Sequence, residues 1–275
     1  METPRISASS YSNTAPLVWS FLYGKNRGLV EVIMDTAPAR SAELLAQDRV
    51  DAALVPVIAY QMLDDVRLIA DVCVGARTRV RSVCLVTKGM DLADVRSVSL
   101  DVSSRTSVAL TKIIFREFLG FEPEWTDADP DINSMLIDSD AALLIGDPAL
   151  SILDCGLRIA DSNPKSKIQN LKSFDLAELW HAHTGLGFVF AMWMTRRDNV
   201  SIDFAAARDE GLGHIDEIVA NYESDIHLGR GEMQDYLSNN ISYSIDDKMQ
   251  QGMALYFNLA QKHGLIDLNK PLNFI

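Results

Sequence analysis

Several kinds of chemistry are missing from this sequence. Cysteine is scarce: Cys73, Cys84 and Cys155 stand alone with no CxxC spacing, which excludes a disulfide framework or zinc cluster and points to a reducing compartment. Positive charge is scarce as well. With 25 basic against 38 acidic residues the formal net charge is −13, and a chain without a basic face cannot displace counterions from a duplex, so nucleic acid is not an expected partner. An anionic membrane surface is disfavoured for the same reason.

Long apolar runs are missing too. The most apolar stretch, Gly185 to Thr195, falls far short of the roughly 20 residues of a spanning helix, and METPRISASS has neither a basic nor an apolar signal region. These features read as a soluble cytoplasmic protein. No Walker loop, GxSxG elbow or HExxH occurs. The glycines of Thr184-Gly185-Leu186-Gly187-Phe188 lack the full dinucleotide fingerprint and lead into a strand. His181 and His183, at i and i+2 on a helix, face apart and do not make a metal site, and Cys84 carries no local catalytic signature.

What is present is ample core material. Hydrophobic residues are 48% of the 275 and charged residues 23%, the balance of a globular protein. Strand and helix signals alternate: strands at Ile6–Ser9, Leu29–Met34, Val50–Val55, Leu68–Val74 and Val80–Thr87, with a helix after Pro16 and another over Pro38–Gln47. A second series starts after Lys88-Gly89, with strands at Ser97–Asp101 and Ala141–Ile145, a helix over Val108–Leu119, another opened by Pro148, a helix over Phe174–His183 and a strand at Phe188–Met194. Helices dominate from Ile202 to Gly264. Helices of about ten residues between strands imply βαβ crossovers and mostly parallel sheets in an α/β fold. The restart predicts two lobes joined by two crossings, with residues 1–90 and 193–275 in the first and 91–192 in the second, the C-terminal helices packing back on the first, and a cleft between them.

Ligands of such sheets bind beyond the carboxyl ends of strands, where loops meet helix amino termini. Three places qualify. Asn13, between the first strand and its helix, is either an Asx turn or cap, or an amide pointing into the cleft. Ser103, Ser104, Thr106 and Ser107 gather hydroxyls and free amides at one helix start, which suits a carboxylate or phosphate and, for one or two of them, equally suits capping. Gly146-Asp147 precedes Pro148, and Asp147 can be an acid, an acceptor for a substrate hydroxyl or a cap. Ser82 sits inside an apolar strand run, where serines are usually structural.

Read in order, several segments resemble one known family. Ile6-Ser7-Ala8-Ser9-Ser10-Tyr11-Ser12-Asn13-Thr14-Ala15-Pro16-Leu17 is similar to the amino-terminal signature of the menaquinone-biosynthesis chorismate dehydratases of the futalosine route. Val50 to Pro56 resembles the third-strand segment, Val80-Arg81-Ser82-Val83-Cys84-Leu85 the V-x-S-V-x-L strand and Ser104-Arg105-Thr106-Ser107 the S-x-T-S turn. Leu144 to Leu150 resembles the I-G-D-x-A-L segment, and Trp180 with Thr184-Gly185-Leu186 the W…TGL block. The likeness runs from residue 5 to about 265. Two departures stand out: Ser12 replaces a bulky apolar residue, and Gly187 stands where proline is usual.

The resemblance implies a two-lobed, periplasmic-binding-protein-like fold of type II used as an enzyme without metal or organic cofactor. The implied reaction is the loss of water from chorismate, a small dicarboxylate, to give 3-(1-carboxyvinyloxy)benzoate. It implies central polar contacts at Asn13 and Ser82, with Ser104, Thr106 and Ser107 receiving a carboxylate and Gly146 and Asp147 in the substrate site. Two alternatives are a non-catalytic small-carboxylate-binding protein and a dihydroxynaphthoate synthase-like enzyme. The latter would call for a histidine where this chain has Gly146-Asp147. A homodimer is left open.

Overall fold

A computed structural model describes residues 3–35, 38–152, 171–223, 226 and 228–275; Cys155 lies outside them. Two five-stranded sheets form the frame. The first joins β1 (Arg5–Ser9), β2 (Glu31–Asp35), β3 (Ala52–Pro56), β4 (Arg67–Ala76) and β10 (Phe188–Thr195) in the order β2-β1-β3-β10-β4. The second joins β5 (Val83–Thr87), β6 (Ser97–Asp101), β7 (Glu124–Ala128), β8 (Ala141–Ile145) and β9 (Lys172–Asp175) in the order β7-β6-β8-β5-β9.

The two orders repeat one pattern. In each sheet three neighbouring strands run parallel, and the fourth position is filled by a strand antiparallel to both its neighbours. Those reversed strands, β5 and β10, are the ones that arrive from the other sheet. Each sheet is therefore mixed, with four strands in one direction and one against them.

This corrects three expectations. Cutting the chain at 90 and 192 puts β5 and most of β10 with the wrong sheet; the sheets change hands at 77–82 and 185–187 instead. The strand expected from Val80 starts at Val83, because Arg81 takes a left-handed backbone (φ 63°) that breaks extension and leaves Ser82 in the crossing. Phe174 belongs to β9, and the helix begins only at Leu176, capped by Asp175.

Burial explains why the central strands read as unbroken apolar runs: both faces are covered. In β5 and β8, Val83, Leu85, Ala141, Leu143 and Ile145 face the large core. Their alternates Cys84, Val86, Ala142 and Leu144 face a smaller one with Met135 and Leu136 of α5 (Ile132–Asp138). The first sheet is flanked by α1 (Ala15–Leu22), α2 (Pro38–Ala46), α3 (Ala59–Met62) and α8 (Phe204–Leu212). Around the second lie α4 (Arg105–Ile113, continued by a π-helical turn to Leu119), α6 (146–152) and α7 (Leu176–Thr184). The remaining helices are α9 (Ile215–Tyr222), α10 (Arg230–Asp235, followed by a π-helical turn Tyr236–Asn240) and α11 (Asp247–Lys262). The carboxyl-terminal helices α8, α9 and α11 pack on α1, β4 and β10.

The crossings are built for rigidity. Buried Asp175 accepts from Val80 N and Arg81 N (3.0 and 2.6 Å) with one oxygen, and from Ala177 N and Glu178 N (2.9 and 3.1 Å) with the other. One carboxylate thus pins the strained turn of the first crossing to the start of α7. Burial pushes that carboxyl up, and the amide donors oppose it. At the second crossing Trp180 donates to the Gly187 carbonyl (3.2 Å), and α11 lies directly on it.

A Cβ on Gly252 of α11 would sit 2.0 Å from the Gly187 oxygen. Because Trp180 holds that carbonyl, the backbone cannot swing aside. Gly252→Ala is expected to lower the urea unfolding midpoint, since overpacking of about 1–3 kcal/mol outweighs a helix-propensity gain of at most about 1 kcal/mol. An unchanged or higher midpoint would contradict this packing.

Candidate active site

The carboxyl ends of β1, β3 and β8 and the start of α4 converge on one cavity of about 560 Å³ of atom-free space, counting its mouth. From the first sheet side it is lined by Ser9, Tyr11, Asn13, Thr14 and Pro56; from the second by Ser104, Thr106, Ser107, Ile145 and Gly146. Crossing residues Val80 and Val83 and β10 residue Phe190 complete much of the wall. None of the described lining side chains is charged. A ligand here meets hydroxyls, an amide and backbone groups against an apolar floor.

Local structure explains each placement. After β1 the chain makes a 3-10 turn, Ser12–Thr14, and Thr14 closes it by donating its hydroxyl to Ser9 O (2.6 Å) and Tyr11 O (2.8 Å). Thr14, not Asn13, performs the local turn chemistry. Asn13 caps neither the turn nor α1 and instead lines the cavity, 9% exposed.

At α4 the capping reading holds for Ser104, and the Thr106 and Ser107 hydroxyls line the cavity. Ser104 is the N-cap, accepting from Ser107 N (3.3 Å). Thr106 Oγ1 accepts from Ile58 N (3.3 Å) of the first sheet's side, and Tyr256 of α11 donates to Thr106 O (3.1 Å). Because these hydroxyls accept in those bonds, each keeps its own O–H to donate into the cavity. The helix dipole there also favours a negative ligand.

Two expected site residues take other positions. Asp147 does not line the cavity; it accepts from Ser12 N (3.1 and 3.2 Å to its two oxygens) and from Ser12 Oγ. That contact joins the loop after β1 to the start of α6, so the polar Ser12 latches one side to the other. Beside it, the Tyr11 ring lies where a Cβ on Gly146 (φ 62°) would fall, 2.9 Å away. Ser82 is fully buried behind the wall, between the lining residues Val80 and Val83, and its hydroxyl has no hydrogen-bond partner. Its backbone is fixed, with Ser82 N donating to Val80 O (2.8 Å) and Gly146 N donating to Ser82 O (2.7 Å).

The other candidates are structural. His181 Nδ1 bonds the Leu186 carbonyl (3.2 Å), and His183 stacks on Phe118 with ring centroids 4.5 Å apart. No metal-ligand cluster exists among the described residues. Cys73 and Cys84 are free and buried, and burial pushes the Cys84 thiol up to about 12.

Three residues escaped sequence reasoning. Tyr11, inside the amino-terminal signature but given no role there, lines the cavity, and Tyr236 lies behind it with no motif to flag it. Asp101, at the end of β6, is buried; one oxygen accepts from Ser103 N (2.9 Å) and Ser103 Oγ (2.5 Å), and the other has no partner. An aspartate two residues before a serine looks like an ordinary Asx turn, so its burial had no signal in sequence.

Comparisons with known proteins agree with this picture. A family model described as menaquinone biosynthesis matches residues 4–262. A Thermus thermophilus protein named chorismate dehydratase is 29% identical over 255 residues, covering 90% of this chain and 91% of that one. Among solved structures, an Archaeoglobus fulgidus protein superposes with a TM-score of 0.67 at 18% identity, covering 96% and 98% of the two chains. The periplasmic aliphatic sulphonate-binding protein of Escherichia coli superposes with a TM-score of 0.62 at 14% identity, covering 99% and 94%. A Candida albicans protein described as having the generic periplasmic binding protein fold gives 0.66 at 10% identity, covering 98% and 92%. The fold is that of the periplasmic binding proteins.

Burial pushes the Asp101 carboxyl up, against the opposing Ser103 hydrogen bonds. A carboxyl raised in the folded state stabilises the protein most when protonated, and loses that contribution as pH rises from the unfolded through the folded pKa. Asp101→Asn cannot titrate, so its melting temperature relative to the parent should become more positive as pH rises from the free carboxyl range. A flat or falling difference would contradict the burial of this carboxylate.

Proposed function

The chain belongs to the menaquinone-biosynthesis family whose model its residues 4–262 match, and on that premise we propose that it is a hydro-lyase of the futalosine route, converting chorismate to 3-(1-carboxyvinyloxy)benzoate and water. The carrying observation is the uncharged cavity, with Asn13 on one side and the Ser104, Thr106 and Ser107 hydroxyls at the α4 start on the other. It occurs in a chain similar over 90% of its length to a chorismate dehydratase. The net charge of −13 argues against nucleic acid. No helix among the described residues is long and apolar enough to cross a membrane; a cytoplasmic place fits a biosynthetic enzyme with free buried thiols.

In this reading the ring carboxylate sits at the α4 start. The ring hydrogen beside the ether oxygen is vinylogously activated by that carboxylate, and removing it spreads negative charge into the same group. Donors from Ser104, Thr106 and Ser107 then gain strength as the dienolate forms. One such donor is worth about 3–4 kcal/mol.

The described residues of the cavity wall offer no carboxylate or imidazole as base. The substrate's own enolpyruvyl carboxylate takes the proton, with the C–H electron pair entering the ring system. The neighbouring C–O bond then breaks, the departing hydroxyl accepts the proton from the new carboxylic acid, and water leaves as the ring becomes aromatic. The steps balance without an oxidant or reductant. Asn13 holds the reactive conformer from the wall and Ser82 from one layer behind it; orientation of this kind supplies much of the rate.

Incubation with chorismate is expected to yield a product lighter by one water in mass spectrometry, with an aromatic absorbance. Asn13→Asp places a charge against the substrate carboxylates and should lower turnover by about 100-fold or more, and Ser82→Ala by about tenfold or more. Binding without turnover would make this a carboxylate-binding protein instead, and full turnover by both variants would overturn the residue assignment.

A further inference from the structure

Behind the cavity wall lies a polar group that the mechanism above does not use. Tyr236 opens the π-helical turn after α10, in a part of the chain with no motif, and is completely buried. Its hydroxyl has no hydrogen-bond partner, and neither has the buried hydroxyl of Ser82. The two are neighbours: Ser82 and Asn13 both lie within hydrogen-bonding influence of the Tyr236 oxygen, although neither bond is closed.

Folded proteins rarely leave such atoms unpaired, because each buried, unsatisfied hydroxyl is destabilising. Phenylalanine at 236 and alanine at 82 would remove both oxygens at no loss of hydrogen bonding in this structure. Two buried hydroxyls without a closed bond cost the fold stability, and π-helical turns recur at functional sites. Both hydroxyls lie near Asn13 of the cavity wall, whose amide can present either its donor or its acceptor end to the cavity.

We propose that Tyr236 is a positioning residue for the reaction: its hydroxyl, acting through Ser82 and Asn13, sets which end of the Asn13 amide meets the substrate. The role rests on the chorismate reading above. With a ligand in the cavity, the Tyr236 O–H donates to Asn13 Oδ1 or to Ser82 Oγ, and the Asn13 NH₂ is turned toward the substrate. The phenol acts as a neutral hydrogen-bonding group and not as a base. Burial drives its pKa far up, and the nearby Asp147 adds to that against the smaller pull of Arg81.

Tyr236→Phe is the test, read by thermal midpoint, kcat and KM with chorismate, alone and combined with Ser82→Ala. Expected are an unchanged or higher midpoint, a kcat lower by about 10- to 100-fold and a KM within about threefold of the parent. In the Ser82→Ala background the same change should add less than about threefold, because the two act as one unit. The role is overturned if kcat stays within about threefold of an active parent, if the two losses multiply, or if midpoint and kcat fall together as packing damage would make them. A parent that leaves chorismate untouched defeats the chorismate reading itself, and this role with it; an active parent matched by its Tyr236→Phe variant defeats only the role.

Discussion

Everything in this molecule depends on how the chain passes between the two sheets. Each sheet is completed by a strand from the other side that runs against its neighbours. That exchange aims the carboxyl ends of β1 and β3 at the start of α4 and the end of β8. The first passage contains a strained residue, Arg81, and a buried carboxylate, Asp175, bonds both Val80 N and Arg81 N while capping α7. Strain of this kind persists only where the surroundings over-determine it. Its product is the inward placement of Ser82 directly beside the cavity wall.

The cavity poses an electrostatic question that its residues answer. A protein with a net charge of −13 repels an anion at long range, yet beyond about 8 Å that field is screened at physiological salt. Binding is then decided by close donors. Hydroxyls at a helix start, in an apolar enclosure, stabilise charge that develops on a carboxylate without first trapping the substrate in a strong ion pair. A cavity lined by arginine would bind the ground state well and gain less as charge moves. The Ser12–Asp147 and Ile58–Thr106 contacts bring the two sides together around this enclosure, which keeps the effective dielectric low where the donors act.

Part of this was legible in the sequence. The turn after β1, the strand Ala141–Ile145 and the hydroxyl cluster before α4 all carry local signals, since capping chemistry and buried-strand runs are written in neighbouring residues. The edge strands β7 and β9 were not legible. Glu124–Ala128 and Lys172–Asp175 are short and largely polar, because an edge strand buries little. Nor could the apolar runs of β4 and β5 reveal that they belong to different sheets; that depends on one left-handed residue and on a carboxylate about ninety positions away. Tyr236 is the plainest case: only the folded chain brings it behind Ser82. That Asn13 faces the cavity was legible, but that Thr14 frees it from capping was not.

The most direct measurement is a crystal structure of the protein with 3-(1-carboxyvinyloxy)benzoate bound. The account predicts the ring carboxylate within about 3 Å of donors from Ser104, Thr106 and Ser107, with the Asn13 amide facing the other carboxylate across the same cavity. A ligand held instead by charged side chains outside the cavity, or one that leaves Asn13 untouched, would contradict it.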